Sequence, residues 1–135
     1  MRILAIDYGR KKCGLAATDP LQLIAQGLET VPTHALLAWL DAYLAREEVS
    51  DLVVGESVTA EGKENPIQAE IVGFERKFAK RYPEIRLHRQ DEFLSSRRAR
   101  EVMLDMGLKK KDRRDKTRVD RIAAALILQD FMDGR

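Results

Sequence analysis

The sequence predicts an α/β domain built on one mixed five-stranded sheet with helices on both faces, in the order β-β-β-α-β-α-β-α-α. Three observations predict it. The run Ile3-Leu4-Ala5-Ile6 is apolar without a break and is followed at once by Asp7-Tyr8-Gly9, the pattern of a strand buried on both faces in the middle of a sheet. Later short apolar runs alternate with stripes at helical spacing, which implies parallel crossovers. At 135 residues, 44% hydrophobic and 34% charged, the chain is large enough for one core and reads as a single domain over 1–135.

The elements follow in order. After the first strand, Arg10-Lys11-Lys12 forms a basic tight turn into a second strand, Cys13–Thr18, stopped by Asp19-Pro20. The turn is short enough for a hairpin. Leu23–Val31 is the third strand, ended by Pro32, and Thr33 is positioned to cap a helix through Glu47. Leu36, Leu37, Leu40 and Leu44 line one face of that helix, with Trp39 and Tyr43 covering its edge. Asp51–Gly55 is a compact strand. The polar segment Glu56–Pro66 is long for a connection, as binding or lid loops often are.

A helix from Ile67 to Arg81 turns Ile71, Phe74 and Phe78 inward, and Tyr82-Pro83 breaks it. Glu84–His88 is a short strand, with Asp91 and Glu92 just beyond it. Ser95 or Ser96 caps a helix that carries Val102, Met103 and Met106 and ends at Gly107. From Arg118 the last helix shows Val119, Ile122, Ala123, Leu126, Ile127 and Phe131, with Asp120 in its first turn.

Composition narrows the function classes. No apolar segment approaches the ~20 residues of a membrane span, and the chain opens directly on a strand rather than on a secretory signal. The single cysteine, Cys13, excludes an internal disulfide or a cysteine cluster and indicates a reducing compartment. A cytoplasmic protein is expected. Net charge is only +2, but Lys109–Arg118 holds seven basic and two acidic side chains, enough for a local patch.

Aspartate is a poor strand former and costly to bury unless paired or holding a cation, so Asp7 at a strand end needs a reason. Three acids stand at comparable points: Asp7 after the first strand, Glu92 after the last, and Asp120 at the start of the final helix. Sites in α/β sheets form at the carboxyl ends of strands. If the first and last strands lie near one another, Asp7 and Glu92 approach closely, and the closing helix can bring Asp120 to the same point. Clustered carboxylates repel unless cations or protons compensate. Oxygen ligands without Cys or His favour Mg²⁺ or Mn²⁺, and paired ions about 4 Å apart suit phosphodiester hydrolysis.

Each acid also has a purely structural explanation. Asp7 could close its strand with an Asx-turn. Thr117-x-x-Asp120 could be a capping box, and Glu92 an ordinary loop carboxylate, as Asp91 is read to be. Glu56 is a fourth candidate, read as a solvent-facing loop residue. His34 and His88 read as surface or edge residues, and Cys13 as core.

The chain resembles the YqgF/RuvX family of Holliday junction resolvases and pre-16S rRNA nucleases. The resemblance spans essentially its full length and is carried by Ile6-Asp7-Tyr8-Gly9 with Gly14-Leu15-Ala16, Asp91-Glu92 with Leu94-Ser95, and Val119-Asp120 with Ala123-Ala124 and Ile127-Leu128. It implies a ribonuclease H-like fold and a metal-dependent endonuclease, with Asp7, Glu92 and Asp120 as the acidic triad that holds Mg²⁺ or Mn²⁺. The implied substrate is precursor 16S rRNA, branched DNA, or both. The chain departs from the family's Gly-Leu-Pro at Gly55-Glu56-Ser57 and from its Asp-Glu-Arg at Phe93, and Ser96 stands where threonine is common.

Arg10, Lys11 and Lys12, with Lys109, Lys110, Lys111, Arg113, Arg114, Lys116 and Arg118, are expected to neutralise backbone phosphates. The protein is expected to act as a monomer or weak homodimer, with no membrane partner and no organic cofactor. Two other classes remain open: a nucleic-acid-binding protein with a weakened site, and, more remotely, an actin-like phosphotransferase suggested by Asp7-x-Gly9.

Overall fold

The centre of the sheet is β1, Arg2–Asp7, flanked by β2, Lys12–Thr18, on one side and β4, Val49–Glu56, on the other. β3, Ala25–Pro32, and β5, Arg86–Asp91, complete the order β3-β2-β1-β4-β5. β1, β2 and β3 form the antiparallel meander, while β4 and β5 run parallel to β1. The computed structural model describes residues 1–56, 67–91 and 116–134, with the backbone alone at Glu56, Asp91 and 116–120.

The unbroken apolar run of β1 is explained by its surroundings. Leu4 and Ile6 face a core formed with α1, Leu36–Arg46, and α2, Gln68–Arg81, through Leu36, Leu40, Ile71 and Phe78. Ile3 and Ala5 face the opposite way, onto Ala124, Ile127 and Leu128 of α3, Lys116–Asp133. Each large side chain fully buried here contributes about 1.5–3 kcal/mol over its exposed state. An exposed ion pair contributes about 0–1 kcal/mol, so the two apolar layers hold the sheet. The order and the two-faced packing agree with the sequence expectation over the described residues.

Small residues bring α3 close to the sheet. Ala5, Ala16 and Ala124 all belong to its contact layer. A side chain at Gly27 in β3 would stand 3.1 Å from the Arg121 carbonyl oxygen.

Several boundaries differ from the sequence reading. β3 begins at Ala25, not Leu23: Asp19 accepts the amides of Leu21, Leu23 and Ile24 at 3.1, 2.8 and 2.8 Å and holds that segment outside the strand. Leu23 and Ile24 are accordingly exposed. Thr33 does not cap a helix. It opens a 3-10 turn, Thr33–Ala35, and α1 starts without a side-chain cap. β4 extends to Glu56 and β5 to Asp91, because these two residues pair across the sheet. Asp91 therefore ends a strand rather than following one. α3 already runs from Lys116, so Asp120 lies beyond its first turn, and Thr117 is within the helix rather than a cap. The expected helix with Val102, Met103 and Met106 lies outside the described residues.

Candidate functional site

The parallel strands β1, β4 and β5 end at one edge of the sheet, and Asp7 is the last residue of β1. It pairs in register with Gly14 of β2 and is half-buried. Strand alternation puts it on the face of Ile3 and Ala5, the face that α3 covers. A carboxylate at that point has an apolar layer on one side and the ends of the parallel strands on the other.

The backbone just beyond Asp7 is tightly held. A Cβ at Gly9 would lie 2.4 Å from the Lys12 carbonyl oxygen, a distance no side chain tolerates. The Thr33 hydroxyl donates to the Gly9 carbonyl at 2.6 Å, and the Thr33 amide donates to the Lys11 carbonyl at 2.9 Å. Cys13, fully buried as expected, packs with its sulfur 3.5 Å from the Thr33 hydroxyl. Tyr8 is buried between Asp7 and Gly9, its ring 5.7 Å from that of Phe74. Burial, with Cys13 and Glu70 adding to it, raises its phenol above the ordinary value.

The other expected ligands are less fully described. Glu92 follows β5 directly and lies outside the described residues. Asp120 stands in α3 one turn before Ala123 and Ala124, both buried, Ala124 against the sheet. β1 and β5 are not neighbours: β4 lies between them, so their ends are separated by two strand spacings, roughly 10 Å. Glu56 closes β4 opposite Asp91, and is a strand residue rather than a loop residue. Among the described residues no three His, Cys, Asp or Glu side chains gather to hold a metal. The donor chemistry of Asp7, Glu92 and Asp120, carboxylate oxygen alone, fits a hard divalent cation.

Of the expected phosphate-binding residues, Arg10 and Lys11 are exposed at the turn, and Arg10 lies 3.7 Å from Glu70. Lys12 is the first residue of β2, opposite Pro32, and is half-buried rather than part of the turn. Lys116 and Arg118 belong to α3, not to a loop. Lys109, Lys110, Lys111, Arg113 and Arg114 lie outside the described residues. His88 is at the sheet edge but not isolated: its Nε2 is 2.7 Å from Asp51, and its ring packs on Phe131. The sequence reading passed over Lys77 and Lys80 on α2, because two lysines on the polar face of an amphipathic helix look the same whether or not they border a groove.

The strand order and the helices covering both faces define a ribonuclease H-like α/β domain, with a carboxylate at the end of its central strand. The chain belongs to the RuvX family, described as Holliday junction resolvase, whose model matches residues 1–134. A Bacteroides thetaiotaomicron protein named "Putative pre-16S rRNA nuclease" is 46% identical over 136 residues, covering 99% of this chain and 97% of the relative. Relatives of the same name from Flavobacterium johnsoniae and Porphyromonas gingivalis are 41% and 46% identical over 134 and 133 residues. They cover 99% and 98% of this chain, and 97% and 96% of their own length.

Among solved structures, the fowlpox virus Holliday junction resolvase is similar at a TM-score of 0.58 with 16% identity over 99% of both chains. The same enzyme in complex with its substrate junction DNA gives a TM-score of 0.59 with 12% identity, over 99% of this chain and 98% of that one. These likenesses establish the fold.

Proposed function

We propose that this protein is a metal-dependent endonuclease that hydrolyses phosphodiester bonds of structured nucleic acid, with Asp7, Glu92 and Asp120 as its catalytic carboxylates. The observation that carries the reading is Asp7: a carboxylate ending the central strand, on the α3-covered face, at the edge where the parallel strands all finish. Asp120 belongs to the helix packed on that face, and Glu92 comes directly after β5. These three residues would hold Mg²⁺ or Mn²⁺, which when bound lowers the pKa of a coordinated water and stabilises the attacking and leaving oxygens.

The chain's own residues orient the substrate. The turn fixed by Gly9 and Thr33 sets the carboxylate of Asp7. Arg10 and Lys11 beside it meet backbone phosphates, joined by Lys12 and by the basic residues between Lys109 and Arg118. Phosphate contacts carry no sequence information, so recognition is by shape. The names of the relatives, which cover nearly the whole chain, favour precursor 16S rRNA as substrate, with its 5′ end as the proposed site of cutting, and the family description supports branched DNA. A cytoplasmic setting and action as a monomer or weak homodimer belong to the same proposal.

The test is cleavage of end-labelled precursor 16S rRNA 5′ fragments and four-way DNA junctions with Mg²⁺, with Mn²⁺ and with chelator, beside Asp7→Asn. Metal-dependent cutting by the wild type, lost in Asp7→Asn, is expected, and the better substrate identifies the role. Binding by both proteins with no cutting under any condition would instead leave a binding module.

A further inference from the structure

On the sheet face opposite α3, a groove runs between α1 and α2. It consists of two adjoining hollows of about 390 Å³ and about 250 Å³, and Leu37 and Lys77 line both. One end opens at Tyr8, just past the end of β1, and at Thr33, which holds Gly9; Asp7 lies at the same strand end with its side chain on the other face of the sheet. The other end reaches Lys80 and Arg81. From Glu70 to Arg81 the helix bordering it is roughly 16 Å long. The floor is apolar and the wall is cationic. Glu70 faces Arg10 and Arg81 faces Asp41, so those charges offset each other. Lys77 and Lys80 make no ion pair with a described residue.

Gly73 supplies an independent observation. It lies in the interior of α2, where glycine weakens a helix relative to alanine, yet no described residue stands within 4 Å of where its Cβ would be. No described neighbour requires a glycine here. Gly73 does line the groove, and a side chain would intrude on it.

We propose that the α1–α2 groove binds a single-stranded extension of the nucleic-acid substrate as it leaves the cleavage site, with Lys77 and Lys80 on its phosphates and bases against the apolar floor. This rests on the nuclease reading above. Cations along an apolar groove match the way single strands are held, phosphates on charge and base faces on apolar or aromatic surface. Gly73 keeps the groove open at the expense of helix stability.

The test is fluorescence anisotropy in chelator, which prevents cleavage. The probes are a labelled RNA hairpin and a labelled four-way DNA junction, each blunt or with a single-stranded tail of about eight nucleotides. The wild type is expected to bind the tailed forms about tenfold more tightly than the blunt ones. The double variant Lys77→Ala, Lys80→Ala should lose that advantage, and its dependence of log K on log salt for tailed probes should be shallower by about 1.4, from 0.7 per phosphate contact. Gly73→Leu keeps both lysines and should lose the advantage too, while circular dichroism shows its helices retained. A tail advantage and salt slope unchanged in these variants overturn the proposal, as does a wild type indifferent to the tail. A wild type that binds none of the probes overturns the nuclease reading with it.

Discussion

Thr33 hydrogen-bonds through its side-chain hydroxyl to the main-chain carbonyl of Gly9 at 2.6 Å, two residues past Asp7. One side chain thus ties the entry to α1 to the turn leaving the central strand. Thr33→Val keeps the shape and removes the donor, leaving the Gly9 carbonyl short of a partner. A loss of about 1 kcal/mol is expected, read as a lower urea midpoint with an unchanged slope. If Thr33 acted only as a helix cap, Thr33→Ser and Thr33→Asp would both restore stability. With the Gly9 carbonyl as its partner, only Thr33→Ser should, because a carboxylate cannot donate.

Gly9→Ala should be more damaging. Its Cβ would sit 2.4 Å from the Lys12 carbonyl oxygen, and that neighbour is backbone. A cost of about 1–3 kcal/mol is expected from such overpacking. The turn must shift, so nuclease activity should fall further than the unfolded fraction explains. Equilibrium unfolding beside cleavage rates separates the two effects.

Gly73→Ala should raise stability by about 0.5–1 kcal/mol, since the helix gains and no described residue is struck. A small rise in melting temperature is the expected reading. A fall would mean that the glycine is needed for the fold after all.

Asp7→Asn should lower cleavage by more than about a thousandfold, given the several kcal/mol that a bound divalent ion supplies to the transition state. Binding in chelator should survive. The carboxamide is nearly the same size as the carboxylate, so loss of fold would show separately in the thermal midpoint.

Acid sensitivity should be traceable in part to Asp51. Burial acts to raise its pKa, but hydrogen bonds from the Ser50 hydroxyl and from His88, with the charges of His88 and Arg86, prevail and hold it below the ordinary carboxylate value. A carboxylate depressed in the folded state contributes stability that is present above its unfolded pKa, about 3.9. That contribution is lost as pH falls through the lower folded value. Urea midpoints should therefore decline more steeply below about pH 4 in the wild type than in Asp51→Asn. Parallel curves would show that the pair contributes nothing to the acid limb.

Much of the architecture was legible in the chain alone. The four apolar residues before Asp7 could be satisfied only by cover on both faces, and helices do lie on both. Inward positions at helical spacing identified α2 through Ile71, Phe74 and Phe78, because burial imposes that spacing on any amphipathic helix. Terminal boundaries were less legible. Asp19 captures three amides and shortens β3, and pairing with Glu56 lengthens β5 to Asp91. Both depend on partners that local propensity does not see.

The sequence by itself determined the element order, the two-faced central strand and the presence of a carboxylate at its end, because apolar periodicity is a local consequence of burial. Only the tertiary structure decided that β4 separates β1 from β5, that Thr33 serves the Gly9 turn instead of a helix end, and that Gly73, Lys77 and Lys80 border one groove. Each of these depends on residues distant in the chain meeting in space. That meeting follows from how the helices pack on the sheet and how the strands pair.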